Sequence, residues 1–251
     1  MPKVIWGINP LLEVLKNQPD LIEEILFEKK SLYGKKYQIL EKAKALGIPV
    51  RIWSKGTFSP AKVPPEANTQ GVVAYLRTFE YAEFEDVVSR WKEREEIPLV
   101  IALDEVTDPQ NVGNILRVAD SAGAHGLIIP KHRACEITGT VIKVSSGAAF
   151  NLPIAKVTNL KEALSFFKDC GLWVLGLTHR AETILYDLDL KIPLLLIAGN
   201  EEKGIRPSIL ERCDLLARIP MRGKIESLNV AQAVSISLYE ILRQRYYSQV
   251  K

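Results

Sequence analysis

Ile219-Pro-Met-Arg-Gly-Lys-Ile-Glu-Ser-Leu-Asn-Val230 is the stretch that decides the fold, because it stands between a short apolar run and a long helical pattern. Two earlier stretches have the same setting, Leu103-Asp-Glu-Val-Thr-Asp-Pro-Gln-Asn-Val-Gly-Asn-Ile-Leu-Arg117 and Ile197-Ala-Gly-Asn-Glu-Glu-Lys-Gly204. Each follows a strand pattern typical of a buried strand and places polar residues at a turn. Such turns at strand ends are where α/β folds hold their ligands.

The second half of the chain alternates strand and helix patterns. Short apolar runs bounded by turn residues predict strands at 99–103, 126–129, 173–177, 194–198 and 215–219. Their apolarity is continuous, which indicates strands covered on both faces and hence a parallel sheet with helices between the strands. A broad apolar stripe over 230–246 predicts a closing helix.

The first eighty residues predict a small α/β unit. Asn9 and Pro10 begin a helix, 36–46 forms another that stops at Gly47, and strands are expected at 22–28, 50–53 and 71–76. An amphipathic helix over 81–96 leads into the second half. We therefore predict one domain at 1–79, a helical linker at 80–97 and a second domain at 98–251.

Composition indicates a globular protein, since 47% of the 251 residues are hydrophobic. No apolar run reaches the roughly 18 residues of a membrane span, and the N-terminus lacks the pattern of a signal peptide. Cys135, Cys170 and Cys213 are far apart and include no CxxC pair, which favours buried free thiols over disulfides or a zinc site. We expect a cytoplasmic protein without a metal or a membrane partner.

The charge of the chain is unevenly distributed. Residues 1–80 hold 12 Lys and Arg against 8 Asp and Glu, a balance of +4, so the remainder of a chain with a net charge of +3 sums to −1. A basic first domain fits RNA docking, although solvated lysines on ordinary helices would give the same balance.

Motif searches exclude several enzyme classes. No GxGxxG follows a strand, and the glycine spacing of 199–204 lacks the Lys-Ser/Thr of a P-loop. HExxH and GxSxG are absent, and the chain has three histidines. The polar residues left at the predicted strand ends are Asn111, Arg117, Glu201, Ser227 and Asn229. These are positioning groups rather than strong bases or metal ligands, which suits a reaction whose reactivity comes from a cofactor.

The three stretches resemble the signature motifs of the SpoU/TrmH class of SPOUT methyltransferases, which methylate the ribose 2′-hydroxyl of RNA. The resemblance implies S-adenosylmethionine (AdoMet) as the cofactor and a parallel sheet containing a deep trefoil knot. It also implies a homodimer paired through the knot region, with the sites near the interface.

Catalytic roles follow from the resemblance by position. The first motif pairs Asn111 with Arg117, and the Arg is implicated in activating the ribose hydroxyl. Because guanidinium groups are poor bases, our hypothesis is that Arg117 binds the target phosphate and ribose while the phosphate assists deprotonation. The second motif supplies Gly199, whose backbone meets the cofactor, and Glu201, which orients the first-motif residues; Glu202 stands where family members often have glycine. Arg117 as a surface cation and Glu201 as a helix N-terminal carboxylate remain open.

The third motif supplies residues for the cofactor and the cleft. The resemblance implies that main-chain groups of Ile219 and Leu228 hold the adenine, with Met221 beside them, and that Ser227 and Asn229 line the catalytic cleft. Ser227 is equally suited to cap the closing helix. His179 follows a predicted strand, but family members do not use histidine there, so we expect no general-base role for it.

The first half resembles the L30e/L7Ae-like substrate-binding domain of larger class members, through Trp6-Gly-Ile-Asn-Pro-Leu-Leu-Glu-Val-Leu15 and Thr69-Gln-Gly-Val-Val-Ala74. Family members commonly have histidine where Thr69 stands. Such domains bind RNA shape and unpaired loops. The candidate phosphate contacts are Lys29, Lys30, Lys35 and Lys36, and each is equally well explained as a solvated lysine.

We therefore expect an AdoMet-dependent RNA 2′-O-ribose methyltransferase. The extra N-terminal domain favours the branch that acts on large-subunit (23S) ribosomal RNA, on a guanosine in a hairpin loop near the peptidyl-transferase centre. The alternatives are a tRNA guanosine 2′-O-methyltransferase and a catalytically silent RNA-binding protein of the same fold. A nucleotide-dependent oxidoreductase is a more distant third.

Overall fold

The computed structural model describes residues 3–17, 19–29, 32–54, 58–76, 79–225 and 227–247. The chain divides into two compact units. The first comprises Met1–Glu80 and Glu136–Asn151, and the second comprises Tyr81–Cys135 and Leu152–Lys251. The segment 136–151 therefore belongs to the first unit although it lies in the second half of the sequence. The domain boundaries expected from the sequence, at 79 and 98, do not anticipate this.

The first unit is built on a four-stranded sheet. Its strands are β1 (Lys3–Trp6), β2 (Ile22–Glu28), β3 (Val50–Trp53) and β4 (Val72–Leu76), in the order β1-β4-β2-β3. β4 is antiparallel to both of its neighbours, whereas β2 and β3 are parallel. Helices α1 (Ile8–Asn17) and α2 (Lys35–Ala45) bury apolar side chains such as Leu11 and Ile39.

The segment 136–151 completes the first unit. It forms helix α5 (Gly139–Val144) and a 3₁₀ turn at Ala148–Phe150. A Cβ atom on Gly139 would lie 1.8 Å from the Val4 carbonyl oxygen and 2.7 Å from the Trp6 ring. Helix α5 can therefore lie flat on β1 only because this position carries no side chain.

The second unit is a six-stranded parallel sheet. Its strands are β5 (Leu99–Asp104), β6 (Gly126–Pro130), β7 (Ile154–Val157), β8 (Trp173–Leu177), β9 (Leu194–Gly199) and β10 (Leu215–Ala217). Their order is β10-β8-β9-β5-β6-β7. Strand order reverses between β5 and β9, and ligands of open α/β sheets bind at the carboxyl ends of such strands.

Helices connect the strands of the second unit. They are α3 (Phe84–Arg94), α4 (Pro109–Ser121), α6 (Leu160–Asp169), α7 (Pro207–Leu210) and α8 (Val230–Leu242). A π-helix at Arg243–Tyr247 continues α8. In the core of this unit, Val100, Ala102 and Ile197 of the central strands pack with Phe167 of α6 and Trp91 of α3.

Arg245 of the π-helix is half-buried and has no carboxylate partner among the described residues. Its guanidinium donates to the carbonyl oxygens of Leu190 (3.2 Å), Ile97 (2.8 Å), Pro98 (3.1 Å) and Ile192 (2.6 Å). Burial lowers the pKa of Arg245 to about 10. This one side chain satisfies backbone acceptors of the segments that lead into β5 and β9.

Most predicted elements are present, with ends that differ by a few residues. The expected α/β class and parallel sheet are confirmed, and the strand at 22–28 has the predicted bounds. Strands β1 and β7 were not predicted, because each is four residues long and neither stands out as an apolar run. The helix expected at 81–96 begins at Phe84, where Glu83 and Asp86 form a capping box, and ends at Arg94.

Two expectations from composition concern the burial of the three cysteines and the lack of a membrane-spanning segment. Cys135 is buried and Cys213 partly so, but Cys170 is exposed, so the expectation of three buried thiols is wrong for Cys170. Burial raises the pKa of the Cys213 thiol to about 12. Within the described ranges, every helix is too short or too polar to cross a membrane.

Candidate functional site

A cleft opens at the carboxyl ends of β8, β9 and β10. Its volume is about 370 Å³, within the range of small-molecule sites. The loops that follow the three strands form its walls. Six sequence-predicted residues line it: Gly199, Glu201, Ile219, Met221, Ser227 and Leu228. The second and third motifs therefore meet at one site.

The loop after β9 is held by its own hydrogen bonds. The Asn200 side-chain oxygen accepts from the backbone N–H of Glu202 (3.0 Å) and of Lys203 (3.1 Å). Its amide donates to the Glu105 carbonyl oxygen (3.2 Å), which ties the loop to the end of β5. A Cβ atom on Gly199 would lie 2.2 Å from the Gly204 carbonyl carbon, so the loop closes only over a glycine.

A chain of three polar side chains joins the three motifs. The amide of Asn111 donates to the Glu201 carboxylate, and the amide of Asn229 donates to the Asn111 side-chain oxygen (2.9 Å). Asn111 is 7% exposed, so its hydrogen bonds form in a largely desolvated setting. The Asn111 side chain is therefore held from both sides.

Asn111 and Asn229 stand at the beginnings of two helices. Asp108 caps α4 by accepting from Gln110 N–H (3.0 Å), and Pro109 takes the first helical position. Asn229 caps α8 by accepting from Ala231 N–H (2.9 Å). The cap of α8 is Asn229, so the alternative of Ser227 as the cap is wrong.

Arg117 lies on a second surface, a groove between α4 and α8. The groove has a volume of about 630 Å³. Its lining combines side chains of both helices: Asn111, Asn114, Arg117, Val118, Ser121, Asn229, Ala231, Gln232, Ser235 and Tyr239. Arg117 is exposed there, six residues after Asn111 along α4. The predicted catalytic residues thus divide between two surfaces. Glu201 and Ser227 line the cleft, whereas Asn111, Arg117 and Asn229 line the groove. The hydrogen bond between Asn111 and Glu201 connects the two surfaces.

An ion pair behind the site was not predicted. Asp104, at the end of β5, is fully buried and accepts from the backbone N–H (2.9 Å) and the Nε (2.8 Å) of Arg206. The bond to Asp104 raises the pKa of Arg206. This pair fixes the far end of the loop that begins at Gly199. An acidic residue at the end of an otherwise apolar strand is the sequence signal that could have indicated it.

The cleft has charged walls of opposite sign. Arg180 and Arg218 form the basic wall on the side of β8 and β10, and Glu201 and Glu202 form the acidic wall on the side of β9. His179 also lines the cleft. The turn after β8 is fixed because Ala181 N–H donates to the Thr178 carbonyl oxygen (3.2 Å). The sequence motifs indicated the acidic wall alone. Such a cleft complements a ligand that carries charges of both signs.

The four lysines predicted to contact RNA differ in setting. Lys29 and Lys35 are exposed, and Lys30 lies outside the described residues. Lys36 is 7% exposed, its ammonium donates to the Gln70 carbonyl oxygen (2.9 Å), and burial lowers its pKa. Lys36 therefore supports the backbone of the first unit, which is not the setting of a free phosphate-binding lysine.

The part of the chain that the structure describes contains no cluster of metal-binding side chains. Across the residues that the structure describes, no group of three or more His, Cys, Asp or Glu side chains is placed to hold an ion. The polar side chains that line the cleft and the groove carry amides, carboxylates, guanidinium groups, hydroxyls and one imidazole.

Comparison with known proteins identifies the family. Residues 98–239 match the SpoU rRNA Methylase family, and residues 4–82 match the family of RNA 2′-O ribose methyltransferase substrate-binding domains. The chain belongs to the SpoU rRNA methylase family. Its three motifs are the ones that line the cleft and the groove.

Several relatives within the SpoU family match nearly the whole chain. The putative TrmH family tRNA/rRNA methyltransferase YacO of Bacillus subtilis is 38% identical over 96% of this chain and 95% of that protein. The 23S rRNA (guanosine-2′-O-)-methyltransferase RlmB of Pseudomonas aeruginosa is 39% identical over 96% of each. Both alignments therefore include the first unit as well as the site.

A solved structure of the SpoU family agrees with the fold. The methyltransferase AviRb from Streptomyces viridochromogenes, in complex with the cofactor AdoMet, is 26% identical and superimposes with a TM-score of 0.81. The match covers 96% of this chain and 90% of that chain. The α/β architecture with its parallel sheet is thus the architecture of a SpoU methyltransferase.

Proposed function

We propose that this protein transfers a methyl group from AdoMet to a ribose 2′-hydroxyl of RNA. The observation that carries the proposal is the hydrogen-bonded chain Glu201–Asn111–Asn229, which joins the cleft after β9 to the groove that contains Arg117. A transfer between two substrates requires two adjoining sites held in a fixed relation. Family membership and the 23S rRNA guanosine-2′-O-methyltransferase relatives support the same reaction.

The cleft fits AdoMet as the ligand. Its volume of about 370 Å³ is that of a small-molecule site. Backbone of Gly199, Ile219 and Leu228 is available for the adenosine, and the acidic and basic walls suit a ligand with an ammonium, a sulfonium and a carboxylate. When bound, the cofactor supplies an electrophilic methyl group on its sulfonium.

The chain's own residues position the RNA. Arg117 is exposed in the groove, where its guanidinium can bind the target phosphate and ribose through paired hydrogen bonds. Guanidinium groups are poor bases, so Arg117 orients the hydroxyl while the bound phosphate assists its deprotonation. The hydrogen bond between Asn111 and Glu201 fixes the groove relative to the cleft.

The substrate we propose is a guanosine of 23S ribosomal RNA, in a hairpin loop near the peptidyl-transferase centre. The RlmB relatives of three organisms are 35–39% identical over 96–97% of this chain. The match of residues 4–82 to a substrate-binding domain supports a role for the first unit in holding RNA. A tRNA guanosine is the second candidate, because the relative YacO is a putative tRNA/rRNA methyltransferase.

Family membership supports further features that we include in the proposal. These are a deep trefoil knot around the third motif, an L30e/L7Ae-like first domain at 1–79, a linker at 80–97, a catalytic domain at 98–251, a homodimer and a cytoplasmic location. The groove between α4 and α8, with Tyr239 about half exposed, is compatible with pairing of two subunits. Because knots are rare in proteins, the proposal of a knot rests on family membership alone.

The test is transfer of labelled methyl from AdoMet to protein-free ribosomal RNA and to tRNA, followed by digestion to nucleosides. We expect label in 2′-O-methylguanosine from the large ribosomal RNA. Label in tRNA would favour the second candidate. AdoMet binding without transfer to either RNA or to ribosomal particles would indicate a silent RNA-binding protein, and absence of AdoMet binding would overturn the proposal.

A further inference from the structure

We propose that Tyr33 is a stacking platform for an unpaired RNA base, with Lys29 and Lys35 beside it for the flanking phosphates. This inference rests on the proposed RNA substrate, and it assigns to the first unit a binding site for a single-stranded nucleotide. Tyr33 lies in the connection between β2 and α2. The motifs that identified the family do not include it.

The first observation is the exposure of two aromatic rings close together in sequence. Tyr33 is 71% exposed and Tyr37, in the first turns of α2, is 54% exposed. Single exposed apolar residues need no explanation. Here, however, Lys29 and Lys35 are also exposed on the same short segment. Aromatic rings interleaved with cations are the pattern of proteins that bind single-stranded nucleic acid.

The second observation is that the Tyr33 ring is held in place from one side. The ammonium of Lys36 lies 5.1 Å from the ring centroid, and Lys36 N–H donates to the Tyr33 carbonyl oxygen (3.3 Å). A cation over one side of a ring leaves the other face for a ligand, and the exposure of Tyr33 agrees with this. Fixing the ring in advance reduces the entropy lost on binding.

Lys36 is itself fixed by two other loops. Its ammonium donates to the Gln70 carbonyl oxygen (2.9 Å), and the Gln70 side-chain oxygen accepts from Ile8 N–H (2.9 Å) at the start of α1. Hydrogen bonds therefore join the start of α1, the start of α2 and the turn before β4 in one network. The Tyr33 ring contacts this network through the Lys36 ammonium. This gives the buried Lys36 a definite role, which is to support the platform.

The charge of the segment favours RNA over a protein as the occupant. Residues 1–80 carry a net charge of +4, and the exposed Lys29 and Lys35 flank Tyr33 along the sequence. A base stacks on the ring through its π-face whatever its identity, while the lysines attract its phosphates. The ligand is thus an unpaired nucleotide of a loop or bulge rather than a base pair within a duplex.

The experiment uses the full chain and a synthetic RNA hairpin carrying 2-aminopurine in its loop. Stacking on a tyrosine quenches this base, so we expect quenching on binding by the parent and by Tyr33→Phe. Tyr33→Ala is expected to lose the quenching and to bind the hairpin roughly tenfold more weakly, with no change toward a fully paired duplex. Tyr186→Ala is the matched control, since Tyr186 is 48% exposed and lies in the second unit.

The lysines are tested separately through salt. We expect Lys35→Gln and Lys29→Gln each to reduce the slope of log affinity against log salt by about one while leaving the quenching in place. Unchanged quenching and affinity in Tyr33→Ala would overturn the inference, as would a parent chain that does not bind the hairpin.

Failure of this inference can be distinguished from failure of the proposed function. If Tyr33→Ala binds the hairpin as the parent does and still methylates ribosomal RNA, the enzyme assignment stands and the platform does not exist. If Tyr33→Ala loses methylation of ribosomal particles but not of protein-free RNA, the ring contacts a ribosomal protein, and the RNA platform is overturned.

Discussion

At the scale of single residues, Gly199 is the position where the cofactor cleft tolerates least change. Alanine there would place its Cβ 2.2 Å from Gly204 backbone, which forces the loop after β9 to open. We expect Gly199→Ala to weaken AdoMet binding at least about tenfold, which corresponds to ~1.4 kcal/mol, as measured by titration calorimetry.

Gly223 offers the matched control for this substitution. It lies in the loop that follows β10, and no atom stands within 4 Å of the position its Cβ would take. Gly223→Ala should therefore bind AdoMet as the parent does. Equal affinity in both variants would mean that the loop of residues 199–204 does not shape the cofactor site.

Asn111 is the second residue where a small change should be decisive. Its amide donates to Glu201, so Asn111→Asp replaces a donor with a carboxylate that faces another carboxylate. Two adjacent carboxylates raise the pKa of the pair, because the second charge is disfavoured. We expect methyl transfer at neutral pH to fall at least about tenfold and to recover in part as the pH is lowered and the pair takes up a proton.

Asn111→Ala separates this electrostatic effect from loss of the hydrogen bond. Alanine cannot donate to Glu201, but it adds no charge, so its rate should show no such recovery at low pH. The measurement is the rate of labelled methyl transfer across pH for both variants. Parallel pH profiles would contradict the assigned contact between Asn111 and Glu201.

At the scale of elements, the π-helix that continues α8 depends on Arg245. Its guanidinium satisfies four carbonyl oxygens of the segments leading into β5 and β9. Arg245→Met leaves those acceptors without this donor, and a buried unsatisfied polar group costs roughly 1–3 kcal/mol. We expect the free energy of unfolding, measured by urea titration, to fall by about 2–4 kcal/mol. The loss is smaller than four full penalties because water can hydrogen-bond to some of these carbonyl oxygens.

Arg212→Met controls for the loss of a cation, because Arg212 is exposed in the same unit. It should leave the unfolding free energy nearly unchanged. Arg245→Lys should be destabilised as well, since an ammonium cannot reproduce the planar fork of a guanidinium. A lysine variant as stable as the parent would show that charge, rather than geometry, holds the π-helix.

At the scale of the whole molecule, His125 makes stability depend on pH. Its Nδ1 accepts from Leu99 N–H (3.0 Å), so its Nε2 carries the proton and donates to Glu96 (2.9 Å). Burial lowers the pKa of His125 below its ordinary 6.5. As the pH falls below that value, the unfolded chain takes up the proton first, so the folded state loses stability.

The measurement compares the parent with His125→Gln at about pH 7.5 and about pH 5.5. Glutamine keeps an acceptor and a donor but does not titrate. The parent should lose more unfolding free energy between the two pH values than the variant does. An equal loss in both would mean that other groups carry the pH dependence.

Sequence patterns predict much of this molecule, because its sheet is covered on both faces and its motifs are contiguous. Strands such as β9 stand out as apolar runs, and the five residues predicted to bind the cofactor line one cleft together with Glu201. The division between cleft and groove could not be read from spacing, since it depends on how α4 and α8 pack. The pair of Asp104 with Arg206 spans 102 residues, and Arg206 lies outside the three motifs.

Short or unusual local structure was the other source of error. Strand β7 has four residues and includes a lysine, so its apolar signal is weak. The closing helix was expected over 230–246, but its apolar stripe ends at Leu242 and gives no sign of the change from α- to π-helix at Arg243. The contact between Tyr33 and Lys36 was not predicted either, because Lys36 is held by the Gln70 carbonyl oxygen of a distant segment.

The excursion of residues 136–151 into the first unit has a consequence for how the protein is made. A ribosome releases the chain from its N-terminus, and domains commonly fold as they emerge. Here β1 lacks the helix that lies against Val4 and Trp6 until residue 144 has been synthesised. The first unit therefore stays incompletely covered until residues 136–151 have been made, so a nascent chain stalled near residue 100 should be a better chaperone client than one stalled past residue 151.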